Sequence, residues 1–365
     1  MEHQTLVLGQ SDIHRIVDLA GRDRVMDEMI DRLHSAFSAA RSGKSVTPAR
    51  QGFLTGTRRT GVLEWMPHHD IGSAITVKTV SYAPENPNVF GLPTILGTMA
   101  RFDDETGHLL ALSDGVLPTA IRTGAASAVA TRLLAHPESR VVGLIGAGAQ
   151  AVTQVHALSR VLPIDEVLVH DVDDERSHSL PKRLEFLGLD VRVAAPDDIE
   201  SRADVICTAT SVDVGDGPVL TGTRLKAHAH INAIGADLPG KVEIPAAVLK
   251  DAFVCPDHLE QAMREGECQQ LAPEDIGPSI LELASDPSRA EPLRFSRTVF
   301  DSTGFALEDH VAFDVFHDFA QRFGVGQRIR LESVPSDVLN PYDPVPAIEW
   351  YAETCATVGG DVPGR

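Results

Sequence analysis

The sequence predicts an α/β protein of two domains, on three observations. Its 365 residues exceed the roughly 250–300 that one hydrophobic core organises. From Ser139 onward, short apolar runs alternate with helical stretches, the rhythm of βαβ units in a parallel sheet. Before that point, β-rich runs succeed one another between Gly, Pro, Asn and Asp turns, as in an antiparallel or mixed sheet. Hydrophobic residues make up 43% of the chain, enough to fill real cores.

Taken in order, residues 11–41 carry apolar side chains at helical spacing (Ile13, Ile16, Val17, then Val25, Met26, Met29, Ile30, Leu33). Ser11 is the expected N-cap, and Gly21 is expected to split the stretch into two helices. Strands are expected at 61–66, 74–80, 94–102 and 109–112. The Ala- and Leu-rich stretch 119–135 reads as a helix. The alternating part then offers strand 141–145, helix 150–161, strand 167–169, helix 177–187 and strand 190–194. Strands at 204–208, 230–234 and 252–255 follow. Residues 306–323 form an amphipathic helix with Phe305, Val311, Val315, Phe316 and Phe319 on its apolar stripe. The Pro- and Gly-rich residues 335–365 read as a loose tail.

Composition excludes several function classes. The formal net charge is −20, which disfavours nucleic acid and anionic membranes as partners. Cys207, Cys255, Cys268 and Cys355 show no CxxC spacing, so neither structural zinc nor a disulfide framework is expected. His68-His69 and His228-x-His230 lack a further ligand pattern and read as packing or surface histidines; no metal is expected. The start, Met1-Glu2-His3-Gln4, shows no basic region leading into an apolar stretch. No apolar run approaches the ~20 residues of a membrane span. A cytoplasmic protein is expected.

Gly146-Ala147-Gly148-Ala149-Gln150-Ala151 matches GxGxxG/A, directly after an apolar strand and at the opening of a helix. That context points to a Rossmann dinucleotide site. Gly146 permits the tight turn and Gly148 lets the backbone approach a pyrophosphate. Ala151 is small enough for helix and strand to pack closely. The helix start offers free N–H groups and the positive end of its dipole. Asp171 lies at the end of the next strand, where a carboxylate bonds the adenosine ribose. It is followed by Val172-Asp173 rather than Arg, which favours NAD over NADP. Thr208, Thr210 and Ser211 follow a sheet strand and are placed to approach the dinucleotide. Ser302 and Thr303 either contact the cofactor or cap the following helix.

Five flanking segments complete a pattern: Gly91-Leu92-Pro93-Thr94-Ile95-Leu96-Gly97, Thr119-Ala120-Ile121-Arg122-Thr123-Gly124-Ala125, Ile145 to Gln150, Asn232-Ala233-Ile234-Gly235-Ala236-Asp237-Leu238-Pro239-Gly240-Lys241, and Phe300-Asp301-Ser302-Thr303-Gly304. Together they resemble the ornithine cyclodeaminase/μ-crystallin family from about residue 10 to 330. The neighbourhoods of Glu64, Lys78 and Arg264 to Leu271 lean toward its lysine-converting members.

The resemblance implies a carboxylate clamp of Arg50, Lys78 and Arg122, with Glu64 and Asp237 receiving a substrate's distal ammonium. Charge logic agrees with the assignment: guanidinium groups grip carboxylates through paired bonds, and an ammonium needs carboxylate acceptors. Lys78 lies in an apolar β run, where a cation is costly unless paired. The likeness also assigns Thr123, Ala147, Ala149, Ala209, Asn232 and Lys241 to the cofactor. It implies conversion of a basic L-amino acid, lysine to pipecolate or ornithine to proline. Oxidation at Cα, ring closure by the distal amine, ammonia loss and re-reduction would use one recycled NAD. Asp237 is the expected general base, and Glu64 steers the amine. Relatives can run half the cycle as amino-acid dehydrogenases or ketimine reductases. A substrate-binding and dimerisation domain of residues 1–136 with 301–334, a Rossmann domain of 137–300 and a homodimer are expected.

Overall fold

Burial alternates along strands 61–70, 74–82 and 109–114 and repeats every three to four residues along helices 10–20 and 22–39, so each of these elements has one face to hide. The computed structural model describes residues 3–40, 43–56 and 59–343. In its first stretch β1 (Thr5–Leu8) leads to α1 (Gln10–Ala20) and α2 (Arg22–Ala39). There follow β2 (Ser45–Val46), β3 (Gln51–Thr55), β4 (Gly61–Asp70), β5 (Ala74–Tyr82) and a short α3 (Asn86–Val89). Then come β6 (Ile95–Asp103), β7 (Leu109–Asp114) and the long α4 (Val116–Leu134).

The second stretch alternates as expected through β8 (Val141–Ile145), α5 (Ala149–Ser159), β9 (Glu166–His170), α6 (Asp174–Arg183) and β10 (Asp190–Val193). It continues with α7 (Pro196–Arg202), β11 (Val205–Thr208), β12 (His230–Ala233), α8 (Ala246–Lys250), β13 (Phe253–Pro256) and α9 (Leu259–Glu265). The last elements are α10 (Ile280–Ser285), β14 (Thr298–Asp301), α11 (Ala306–Phe323) and β15 (Gln327–Ile329).

Two sheets result. The first runs β15-β1-β7-β6-β5-β4-β2, with β3 added on β4. It is mixed: β1 is parallel to β7 and antiparallel to β15, while β4 to β7 form an antiparallel meander. The second sheet runs β10-β9-β8-β11-β12-β14-β13, and its strands are all parallel. Its order reverses beside β8, which opens a crevice at the carboxyl ends of β8 and β11.

Helix α4 joins the two halves. More than half of its buried residues are small, Ala125, Ala126, Ala128 and Ala130 with Gly124, Ser127 and three threonines. That smallness lets α5, α2 and α11 pack closely around it. The chain leaves the parallel sheet through β14 and returns with α11 to the first sheet, against β4 and β5.

Some local details differ from expectation. Helix α1 is capped by Gly9 with the Asp12 carboxylate on the Gly9 N–H, so Ser11 lies inside the helix. Ser302 and Thr303 do not cap α11, whose N-cap is Phe305. β1 and β15 are too short and too remote in sequence for periodicity to find. The tail runs through turns to residue 343; residues 344–365, with Cys355, lie outside the described residues. Among the described residues, no helix is long and apolar enough to cross a membrane, and no group of His, Cys, Asp or Glu could hold a metal ion. His68 and His230 are buried against Thr47 and Thr298.

Candidate active site

Strand alternation brings the first charged residues together. On β4, Val62, Glu64, Met66 and His68 are buried, and on β5 so are Thr76, Lys78 and Val80. The register pairs Glu64 with Val80 and Met66 with Lys78, so Glu64 and Lys78 share one inward face. Arg122, in the second turn of α4, faces the same interior, and Arg50 enters from the segment before β3.

Each cation there already holds a carboxylate. The Arg50 Nε donates to Glu265 at 2.7 Å and lies 3.4 Å from Glu64. Its two terminal nitrogens donate to the carbonyls of Asp237 at 2.7 Å and Thr303 at 3.2 Å. Lys78 Nζ donates to Asp309 at 2.7 Å. Arg122 donates from Nε to Asp309 at 3.0 Å and from Nη1 to Glu308 at 2.6 Å. Gly304 lies against the Arg122 guanidinium: a Cβ there would sit 2.6 Å from Nη1, at a φ of 73° that favours glycine. The segment Thr303-Gly304 therefore touches Arg50 on one side and Arg122 on the other.

Asp237 follows β12 at the carboxyl edge of the parallel sheet, and its carboxylate accepts from Lys241 Nζ at 3.1 Å. Lys241 is buried with its ammonium 4.9 Å from the Tyr82 ring centroid. A cavity of about 480 Å³ opens beside this group. Arg50, Glu64, Trp65, Leu238, Arg264 and Glu265 are on its wall, whereas Lys78, Arg122 and the Asp237 side chain are not.

Burial shapes the titration of these groups. It pushes the Glu64 carboxyl up, against the pull of Arg50 and with help from Glu265 and Asp237. It pushes Lys78 down to about 8, although Asp309 opposes the shift. Glu308 rises to about 8 through burial, against Arg122. Behind them Asp301 rises to about 7 and Glu267 to about 9, again through burial. Lys241 is raised: burial works against its charge, but Asp237 and Tyr82 outweigh it.

The dinucleotide turn is built from backbone. Gly146 has φ 101°, and a Cβ on it would meet the Ala209 carbonyl at 2.5 Å. A Cβ on Gly148 would meet nothing within 4 Å, so the turn leaves open space where a phosphate would approach. Helix α5 starts at Ala149 without a side-chain cap, which leaves its first N–H groups unclaimed by one. Asp171 accepts from Ala147 N at 2.7 Å, close beside the turn. Arg183 donates to the Ala147 and Gly148 carbonyls at 2.7 and 3.1 Å, and Arg176 pairs with Asp173 at 3.1 Å. The buried hydroxyls of Thr208 and Ser302, at the ends of β11 and β14, have no hydrogen-bond partner among the described residues. Open space, an uncapped helix start and orphaned hydroxyls fit a bound dinucleotide.

Other residues assigned to the cofactor also bond within the protein. Asn232 is fully buried and donates to Thr131 Oγ1 at 3.0 Å, so it braces β12 against α4. Lys241 is committed to Asp237 rather than to the Gly-rich turn. Thr210 bonds Glu243 through both its N–H and its hydroxyl, and Thr123 Oγ1 donates to Thr119 within α4. Gln150 accepts from Thr153 at 3.1 Å.

Sequence reasoning missed Glu265, Glu308, Asp309 and Gln261. Glu308 and Asp309 fall between Phe305 and Ala312 on the apolar stripe of α11, and all four are buried. An acid on an apolar stripe signals a buried cationic partner. Gln261, on α9, donates to the Thr303 hydroxyl and the Gly304 carbonyl and so fixes the segment between the two arginines.

A dinucleotide turn on a parallel sheet, together with a buried, charge-paired pocket, defines a class: nucleotide-dependent enzymes of charged small molecules. The chain belongs to the ornithine cyclodeaminase/mu-crystallin family, whose model matches residues 10–322. It is 50% identical over 342 residues to the L-lysine cyclodeaminase of Streptomyces rapamycinicus, covering 93% of this chain and 99% of that protein. A solved structure of lysine cyclodeaminase, described for recognition of L-lysine, L-ornithine and L-2,4-diaminobutyric acid, superposes with TM-score 0.91 at 52% identity. It covers 93% of this chain and 99% of that one. An archaeal alanine dehydrogenase dimer with bound NAD superposes with TM-score 0.78 at 33% identity, covering 90% of this chain and all of the other.

Proposed function

We propose that this protein is an NAD-dependent cyclodeaminase that converts L-lysine to L-pipecolate with release of ammonia. The observation that carries this is the 50% identity, over nearly the whole of both chains, to an L-lysine cyclodeaminase. In this reading Arg50, Lys78 and Arg122 hold the α-carboxylate, and Glu64 receives the distal ammonium. Asp237 takes a proton from that ammonium, so that the freed amine can attack Cα. Lys241 donates to the Asp237 carboxylate and fixes its orientation. The turn Gly146–Gln150 and Asp171 would hold the dinucleotide, which supplies a reversible two-electron oxidation of Cα.

Residues 1–136 with 301–334 form the substrate-binding and dimerisation domain in this scheme, and 137–300 the cofactor domain. The homodimer draws support from the dimeric archaeal relative, and light scattering at twice the 39.2 kDa chain mass would bear it out. A cytoplasmic site of action belongs to the same reading.

The test is to incubate the protein with NAD and L-lysine or L-ornithine, then identify product and ammonia while following absorbance at 340 nm. Pipecolate and ammonia without net NADH support the proposal. Proline from ornithine, with lysine untouched, would reassign the substrate. Stoichiometric NADH without ring closure would favour the dehydrogenase reading, for which the alanine dehydrogenase likeness is the specific support.

A further inference from the structure

The carboxylate clamp does not stand alone. Lys78 and Arg122 come from different elements, β5 and α4, yet both bond one carboxylate, Asp309 on α11. Asp309 is fully buried, as is its neighbour Glu308. Asp309 takes the Arg122 Nε and Glu308 takes Nη1, while Gly304 packs on the guanidinium. These contacts leave Nη2 without a carboxylate. A guanidinium fixed on two sides presents its remaining donors in one direction. Lys78 would otherwise swing on four single bonds; one short bond to Asp309 fixes its ammonium beside Arg122.

We propose that Asp309 is the positioning residue of the carboxylate clamp: it registers Lys78 against Arg122 and keeps Lys78 charged, so that both meet an α-carboxylate together. This rests on the clamp assignment made above. Four charged groups face Lys78: Asp309 and Glu308 on α11, Arg122 on α4, and Arg50 before β3. Its flanking partners on β4 and β6 are the uncharged Met66 and Met99. Burial, Arg122 and Arg50 work against the charge on Lys78; Asp309 supports it. The ammonium of Lys78 sits near a pKa of about 8. Removing Asp309 lowers that value, so the clamp loses a cation at a lower pH.

The test uses the full chain with NAD present and pentanoate as a competitive inhibitor. Pentanoate has a carboxylate but no amine, so above pH 6 its inhibition constant reports only the protein's ionisation. In Asp309→Asn the inhibition constant should rise about tenfold or more at pH 8.5 and much less at pH 6.5, one pKa unit being tenfold. NAD affinity should stay at the parent value, which a general loosening of the fold would not allow. An inhibition constant equal to the parent's at both pH values overturns the proposal. Should Asp309→Asn fail to fold, Lys78→Arg carries the test, because a guanidinium does not titrate in this range. Weakening above pH 8 in the parent and a flat profile in Lys78→Arg support the proposal; a flat parent profile overturns it. Arg122→Ala separates the underlying reading: if that variant binds pentanoate normally, the clamp assignment itself falls.

Discussion

The cofactor side and the substrate side of this molecule are built on opposite plans. The crevice beside β8 is made of backbone: a glycine turn, an uncapped helix start and one carboxylate, within 26 residues from Gly146 to Asp171. The pocket beside β4 and β5 is made of side chains drawn from distant segments. Lys78 meets Asp309 across 231 positions and Arg50 meets Glu265 across 215. A backbone site tolerates exchange of side chains but not of φ or of space. A side-chain site is sensitive to each charge and to the partner it leaves behind.

Substitutions can break that contrast or sharpen it. The largest effect belongs to Asp237→Asn, which should lower kcat about 100-fold or more, as for a positioned proton acceptor. NAD affinity, followed by fluorescence titration, should be retained; near-normal turnover would remove Asp237 from the chemistry. Arg122→Ala comes next. Losing charge-assisted bonds of roughly 1.5–3 kcal/mol should raise KM for lysine about 10- to 100-fold. An unchanged KM would mean that the buried charges serve the fold alone. Gly146→Ala forces a Cβ against the Ala209 carbonyl at positive φ. Strain of about 1–3 kcal/mol should weaken NAD about tenfold or more, with inhibition by pentanoate at saturating NAD unchanged.

The last prediction concerns stability rather than binding or turnover. His230, buried in the parallel sheet, has its pKa lowered to about 3 by burial. Its neutral form is the folded one, so its contribution is present above the unfolded value near 6.5 and is lost as pH falls. Relative to His230→Gln, the parent should lose about 1.4 kcal/mol per pH unit between 6.5 and 3. Denaturant melts at several pH values would read this difference; parallel curves would place water at the imidazole.

What could be read from the sequence follows the same divide. The parallel sheet was legible because its signals are local: strand, glycine turn and helix lie within 20 residues, and β8 and α11 fall at the expected residues. The charged residues of the pocket were nameable only through family likeness, because periodicity cannot say which distant carboxylate a buried cation meets. Glu308 and Asp309 stood in plain sight on an apolar stripe, but only the packing of α11 on β4 and β5 gives them partners. Asn232 shows the converse. Its place in a recognised motif suggested ligand contact, and the structure adds a bond from its amide nitrogen to Thr131 that the motif did not foretell. β1 and β15 escaped notice because each is short and paired only with strands remote in sequence, β1 with β7 and β15 with β1, Thr5 opposite Ile329.

That last pairing joins the two ends of the described fold, and α11 lies just before it. Both counter-ions of Lys78 and Arg122 arrive only after every strand of the parallel sheet has been made. A chain cut short near residue 300 keeps the dinucleotide turn but lacks Glu308 and Asp309, the carboxylates that balance Lys78 and Arg122.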